Sequence, residues 1–170
     1  TTTRVEVPHT VGGQLRLLLR SSTFVYCTLA LSALFFVVTG IQFWSTEYLI
    51  RCIKAPYSTV LAAFAATSAT APVLGVVFGG WIVDKFGGYQ GAEGVFRTSM
   101  IGTALGVCAV AVALAAIETM DFVAVLTCVW FLLFFGGAIV PGATGMVLSS
   151  VPPQLRAFSS AMSMLTFNVL

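Results

Sequence analysis

The chain has 170 residues and a formal net charge of +2, with 58% hydrophobic and only 8% charged residues. Soluble domains carry roughly 25% charged residues, so this chain has too few to cover a surface that faces water. We therefore expect an integral, multi-pass membrane protein, and the small net charge without a basic run argues against a nucleic-acid partner.

A polar leader, residues 1–22, precedes the first apolar run. It carries Arg4, Arg16 and Arg20, and three leucines separate the last two arginines. The leader is either a short helix lying in the membrane interface or a solvated linker, and the residues leave both interpretations open.

The first predicted span covers residues 23–49, which is enough to cross a hydrocarbon core of about 30 Å. Its polar side chains recur at helical spacing and so share one face, here named the polar stripe: Thr28, Ser32, Phe35, Thr39, Gln42 and Thr46, with Phe35 filling the gap. A Gln amide in lipid needs a hydrogen-bonding partner, so we expect the stripe to face a watery cavity. The alternative is that each hydroxyl bonds back to its own helix.

The next two spans are predicted over residues 59–83 and 98–117. Pro72 predicts a kink in the second span, because its ring removes a helical hydrogen bond. Gly75 and Gly79, four residues apart, predict a face for close helix packing. The segment 84–97 between the two spans is glycine-rich and predicts a loop, and the third span is expected to pack or to face lipid.

The fourth span, residues 122–150, combines an aromatic cluster with a glycine- and proline-rich end. We predict a break at Pro141 and Gly142, where the helix should bend or partly unwind. Broken helices at membrane depth are tolerated only where they meet protein or a water-filled cavity. Trp130 and Phe134 are assigned to the lining of a substrate cavity with Thr39, Gln42 and Thr46; a lipid-facing aromatic patch is the alternative. Residues 157–170 begin a fifth apolar segment.

Catalytic and metal chemistry find little support in the residues. His9 is the only histidine and lies in the leader, and the four cysteines form no C-x-x-C pair. No nucleophile–base pair lies at membrane depth. We expect no enzyme activity, no metal and no cofactor. Glu47, at the end of the first span, is a candidate for proton coupling or an outer gate; an ordinary interfacial acid is the other interpretation.

Basic residues predict the orientation, because cytoplasmic loops are enriched in Lys and Arg. Two of them, Arg51 and Lys54, lie on one side of the predicted spans. Six lie on the other side: Arg4, Arg16, Arg20, Lys85, Arg97 and Arg156. The leader and the 84–97 segment are therefore expected to be cytoplasmic.

Gly80-x-x-x-Asp84-Lys85-x-Gly87, placed between two spans on the cytoplasmic side, resembles the signature loop of the major facilitator superfamily. The order of leader and spans is similar to the central linker and helices seven to ten of that twelve-helix fold, with the start of the eleventh. The runs Thr-Gly-Ile-Gln-Phe-Trp at 39–44 and Val-Pro-Pro-x-x-Arg at 151–156 are similar to spinster-like members. Since the chain starts without Met and stops inside an apolar run, we expect it to be a piece of a longer protein.

The resemblance implies an all-α helix bundle whose partner is an absent N-terminal six-helix half, both embedded in the lipid bilayer. It implies alternating-access transport of a small organic or amphipathic solute. Asp84 would then act in a cytoplasmic gate, pairing with Arg97 or with a helix N-terminus of the other half; a static topology anchor is the alternative. The family often has basic residues where Gly88 and Tyr89 stand here, and Arg97 is the candidate replacement.

A second function class stays open at this point. A four-span protein that organises partners through its glycine faces, without transport, would have the same composition. Such a scaffold would be a complete small protein, whereas a transporter half needs a companion set of helices.

The predicted orientation places residues 118–121 outside the cytoplasm. We expect an epitope tag inserted there in the full-length protein to react with impermeant reagents in intact cells. A tag that is protected until the membrane is permeabilised would reverse the orientation.

Overall fold

A computed structural model describes residues 10–86, 88–89, 91–118 and 121–169, and the backbone alone for 167–169. These residues form helices and connecting turns, with no strand among them. The α-helices in chain order are α1 (Val11–Leu19), α2 (Ser22–Arg51), α3 (Tyr57–Lys85), α4 (Gly91–Glu118), α5 (Phe122–Ser149) and α6 (Arg156–Val169). A single 3-10 turn, Pro153–Leu155, connects α5 to α6.

Four of these helices, α2 to α5, are long and apolar enough to cross a membrane, with 28 to 30 residues each. At a rise of about 1.5 Å per residue each exceeds the roughly 30 Å hydrocarbon core. Short connections make neighbouring helices antiparallel, so one end of the bundle holds the starts of α2, α4 and α6. The chain is thus an all-helical protein of the multi-pass membrane type.

The centre of the bundle is α5, which packs against α2, α3 and α4. Its closest neighbour is α3, and the approach is nearly backbone to backbone. A Cβ atom added at Gly75 would overlap the carbonyl oxygen of Phe134, and one at Gly79 would overlap that of Ala138. On the α5 side, a Cβ at Gly137 would lie 2.7 Å from the Pro72 carbonyl oxygen. Small residues at these positions therefore set the distance between α3 and α5.

The predicted unwinding of the fourth span at Pro141 and Gly142 is wrong, because α5 stays α-helical through both residues. A proline removes one helical hydrogen bond, and the flanking contacts of α5 hold the helix together without it. Gly137 packs on Pro72, and Gly142 packs on the methyl group of Thr98, with 3.0 Å to an added Cβ. The helix α3 likewise continues through its own Pro72.

The predicted loop 84–97 is too long, since α4 already begins at Gly91. Its glycines predict a loop, but Gly94 is part of α4 and allows the helix to approach the backbone of Gly88 closely. A Cβ there would come within 2.9 Å of the Gly88 carbonyl oxygen. The third span therefore starts seven residues before its predicted position of 98, and the connection from α3 is short.

Two adjacent glycines of α3 offer a matched test of the close approach. We expect Gly79→Ala to lower the free energy of unfolding by about 1–3 kcal/mol, because the new methyl group meets backbone that cannot rotate away. Gly80→Ala adds its methyl group where nothing lies within 4 Å, so the gain in helix propensity should leave stability equal or up to about 1 kcal/mol higher. Thermal or denaturant unfolding in detergent micelles measures both; equal effects of the two changes would contradict the packing.

Candidate functional site

Two adjoining cavities open between α2, α3, α5 and α6, and we name them together the Phe35 trough. One has a volume of about 320 Å³ and the other about 240 Å³, and Phe35 and Val140 line both. The trough extends from the middle of α2, where Phe35 lies, towards the end of the bundle that holds the start of α6, because Thr144 is near the end of α5 and Ser160 and Ser163 are near the start of α6. Its lining is apolar except for three hydroxyl groups, which belong to Thr144, Ser160 and Ser163.

The polar stripe of α2 divides into two halves. Thr28 and Ser32 are buried, at the end of α2 that packs against α6. The Ser32 hydroxyl donates to the Thr28 carbonyl at 2.9 Å, which is the bond back to its own helix that the sequence left as an alternative. Beyond Phe35, Thr39 and Gln42 are exposed and Thr46 is half-buried. Gln42 forms no hydrogen bond with another residue in the part of the chain that the structure describes.

The aromatic residues assigned to the cavity pack towards α3. The Trp130 indole N–H donates to the Thr70 hydroxyl at 3.1 Å, and the Trp130 ring stacks on Phe134 at 5.5 Å between centroids. Phe134 in turn contacts Phe78 of α3 at 5.3 Å. Trp130 and Gly137 are seven residues apart and so share one face of α5. Trp130 therefore lies two turns from the trough on the same side of the helix.

Glu47 forms an ion pair with Arg51, one turn further along α2. Both side chains are well exposed, and the pair lies at the end of α2 away from the leader. An exposed pair at this spacing stabilises a helix by roughly 0.3–0.5 kcal/mol. The arrangement is that of an interfacial acid, and the assignment of Glu47 to proton coupling remains a prediction.

The residues predicted to form a gate lie at the opposite end of the bundle from Glu47. The predicted Asp84–Arg97 pair does not form, since Arg97 pairs with Glu93 on its own helix, where the early start of α4 places them four residues apart. Asp84 is exposed, and Lys85 lies over the Trp81 ring at 4.9 Å. A Cβ added at Gly80 would have no atom of another element within 4 Å, and Gly87 is outside the described residues.

A tyrosine seats the connection between α3 and α4 on the bundle. The Tyr89 ring fills the space where Gly145 of α5 lacks a side chain, and a Cβ there would overlap it. Gly88 provides the turn, with a positive φ of 69° and its N–H donating to the Val83 carbonyl at 3.0 Å. The Thr98 hydroxyl donates to the Gly88 carbonyl at 3.3 Å. Tyr89 thus holds the connection between α3 and α4 in place against α5.

Burial raises the pKa of the Tyr89 phenol, and the negative charge of Asp84 raises that pKa further. Both causes act in the same direction, because each disfavours the tyrosinate anion. The charge of the Asp84 carboxylate therefore acts on the Tyr89 phenol. No described basic residue forms an ion pair with Asp84.

Sequence reasoning missed most of the trough. In the sequence, Phe35 only fills a gap in the polar stripe. Val140 and Thr144 flank the expected helix break, and a broken helix gives no period from which their faces could be predicted. A signal for Thr144 was present, since it follows Gly137 by seven residues on the same face of a continuous helix. Ser160 and Ser163 belong to the fifth apolar segment, and only the packing of α6 on α2 brings them to Phe35.

Comparison with known proteins identifies no relative: no protein-family model, curated protein or solved structure matches the chain. The assignment of function therefore depends on the residues and their geometry.

Removing the charge of Asp84 tests the coupling to Tyr89. We expect Asp84→Asn to lower the pKa of Tyr89, yet not to its ordinary value, because the burial of the ring persists. The ultraviolet difference spectrum between each protein and its Tyr89→Phe counterpart isolates this phenol from the other three tyrosines. An unchanged titration curve in Asp84→Asn would show that the charge of Asp84 does not affect the pKa of Tyr89.

Proposed function

We propose that the chain is one half of a secondary transporter that moves a small organic or amphipathic solute by alternating access. The observation that carries the proposal is the Phe35 trough, which reaches the middle of α2 and α3, with the exposed Gln42 two turns from Phe35 on the same helix face. Transporters of this kind bind their solute near the bilayer midplane, between two helix bundles.

The chemistry of the trough favours a weakly polar solute. No charged side chain is among its described lining residues, which offer aromatic and aliphatic surface and the hydroxyls of Thr144, Ser160 and Ser163. An apolar site with a few hydroxyls accepts an amphipathic molecule, whereas a charged one would need its counter-charge from the companion half.

Gln42 argues for water on this side of the bundle. An amide without a partner in hydrocarbon costs several kcal/mol, so an exposed Gln42 is unfavourable against lipid. A water-filled cavity between two bundles removes that cost. Thr39, next to Gln42 on the polar stripe, is exposed in the same direction.

The gate forms the second part of the proposal. Asp84 is exposed and lacks a described basic partner, so its carboxylate is free to accept hydrogen bonds from the companion half when the cytoplasmic side closes. Tyr89, seated on Gly145, holds the connection near Asp84 against α5. Lys85 and Arg97 add positive charge at the same end of the bundle, and Arg97 is held by Glu93.

The alternative of a non-transporting scaffold has weaker support. A scaffold needs the glycine faces as docking surfaces for partners. Gly75, Gly79 and Gly137 are already buried in the contact of α3 with α5. Gly102 and Gly106 on α4 remain open, with nothing within 4 Å of an added Cβ. These two open glycines could still contact a partner, so the experiment must distinguish a scaffold from a transporter.

Accessibility of Gln42 from the two sides of a membrane tests the proposal. In the full-length protein, freed of native cysteines and reconstituted in vesicles, we expect Gln42→Cys to react with an impermeant maleimide added to either side, because alternating access opens the cavity to each side in turn. Asp84→Asn, by weakening the closed cytoplasmic gate, should raise the rate of reaction from the cytoplasmic side.

The matched control is Val107→Cys on α4, where the side chain is 64% exposed on a helix outside the trough. It should face lipid and stay unreactive from both sides. A Gln42→Cys variant that reacts from neither side, or from one side only, would favour the scaffold over the transporter.

A further inference from the structure

The short helix α1 is fixed to the bundle at the level where the membrane-spanning part of α2 begins. Leu18 is completely buried in an apolar cluster that includes Phe24 of α2 and Val151, which follows α5. The chain turns a corner between the helices, since Ser21 has an extended backbone and its hydroxyl accepts the Phe24 N–H at 3.4 Å. α1 is therefore a separate helix held beside the end of the bundle, rather than an extension of α2.

The surface of α1 that points away from the bundle is divided into an apolar and a basic stripe. Val11, Leu15 and Leu19 are spaced four residues apart, and Val11 and Leu19 are 68% and 59% exposed. Arg16 directly follows Leu15, and Arg20 directly follows Leu19. Both arginines are exposed as well. Because successive residues turn by about 100°, the order around α1 is the buried Leu18, then the apolar stripe, then the arginines.

The arginines of α1 have no acid to neutralise them among the described residues. The ion pairs in the described part of the chain are Glu47–Arg51 and Glu93–Arg97. The end of the bundle that carries α1 has five described basic residues, Arg16, Arg20, Lys85, Arg97 and Arg156, against two acids, Asp84 and Glu93. The opposite end has two basic residues, Arg51 and Lys54, against three acids, Glu47, Glu118 and Asp121.

We propose that α1 is a binding surface for anionic phospholipids of the leaflet on its side of the membrane. The apolar stripe enters the boundary between headgroups and acyl chains, and Arg16 and Arg20 bind lipid phosphates above it. A helix with exposed apolar residues beside a basic face lies in the interface in this way. Arginine suits the role, because its planar guanidinium donates two parallel hydrogen bonds to phosphate oxygens. This inference does not rest on the proposed transport function.

A fluorophore on α1 tests the proposal by its contact with labelled lipids. Gly12 is one turn before Arg16, and nothing lies within 4 Å of an added Cβ, so Gly12→Cys accepts a dye without a clash. The native cysteines are first replaced, and the full-length protein is reconstituted in nanodiscs of phosphatidylcholine with a minority of phosphatidylglycerol. Bromine atoms, which quench the dye, are placed on the acyl chains of one lipid or the other at equal amounts.

We expect brominated phosphatidylglycerol to quench several-fold more than brominated phosphatidylcholine, since one basic residue near an anionic surface favours binding by a factor of about five. The preference should fall as salt is raised, because the screening length shrinks to about 3 Å at 1 M. Arg16→Gln with Arg20→Gln should remove the preference while phosphatidylcholine still quenches, because the apolar stripe stays in the membrane.

The matched control is Arg51→Gln with Lys54→Gln, which removes the same charge at the opposite end of the bundle and should keep the preference. Equal quenching by the two lipids in the unmodified chain would overturn the proposal, as would a preference that survives loss of both arginines. Absence of quenching by either lipid would also overturn it, because α1 would then lie in water or against another protein.

Discussion

The structure depends on the backbone contact between α3 and α5. Gly75 and Gly79 bring α3 against the carbonyl oxygens of Phe134 and Ala138, and Gly137 brings α5 against Pro72. In a membrane, apolar side chains gain little by leaving lipid for another helix, so association depends on close packing of this kind. The contact fixes the two helices that form the floor and one wall of the Phe35 trough.

The glycines of α5 meet a different partner on each side of the helix. Gly136 lies beside Leu34 and Val38 of α2, Gly142 lies beside Thr98 of α4, and Gly145 receives the Tyr89 ring. One helix thus positions both the trough and the connection between α3 and α4. A shift of α5 relative to α3 would therefore move both.

The charged side chains lie near the ends of the helices, and their ion pairs form within single helices. The pairs Glu47–Arg51 and Glu93–Arg97 each join neighbouring turns of one helix. Asp84, Arg16 and Arg20 are left without described partners, and all three are exposed at the same end of the bundle. That end therefore has free charge of both signs for contacts outside the chain, with lipid or with a companion bundle.

The sequence by itself determined the number, order and approximate position of the long apolar helices, because length and apolarity within one segment define a membrane span. It also indicated which residues were small enough for close packing, such as Gly75 and Gly79. Tertiary structure decided what those residues touch. Pro141 stays helical because α3 and α4 pack against Gly137 and Gly142, and Arg97 pairs with Glu93 because α4 begins at Gly91. The Phe35 trough and the seat of Tyr89 join residues far apart in the chain, and neither helical period nor local spacing carries information about which helices become neighbours.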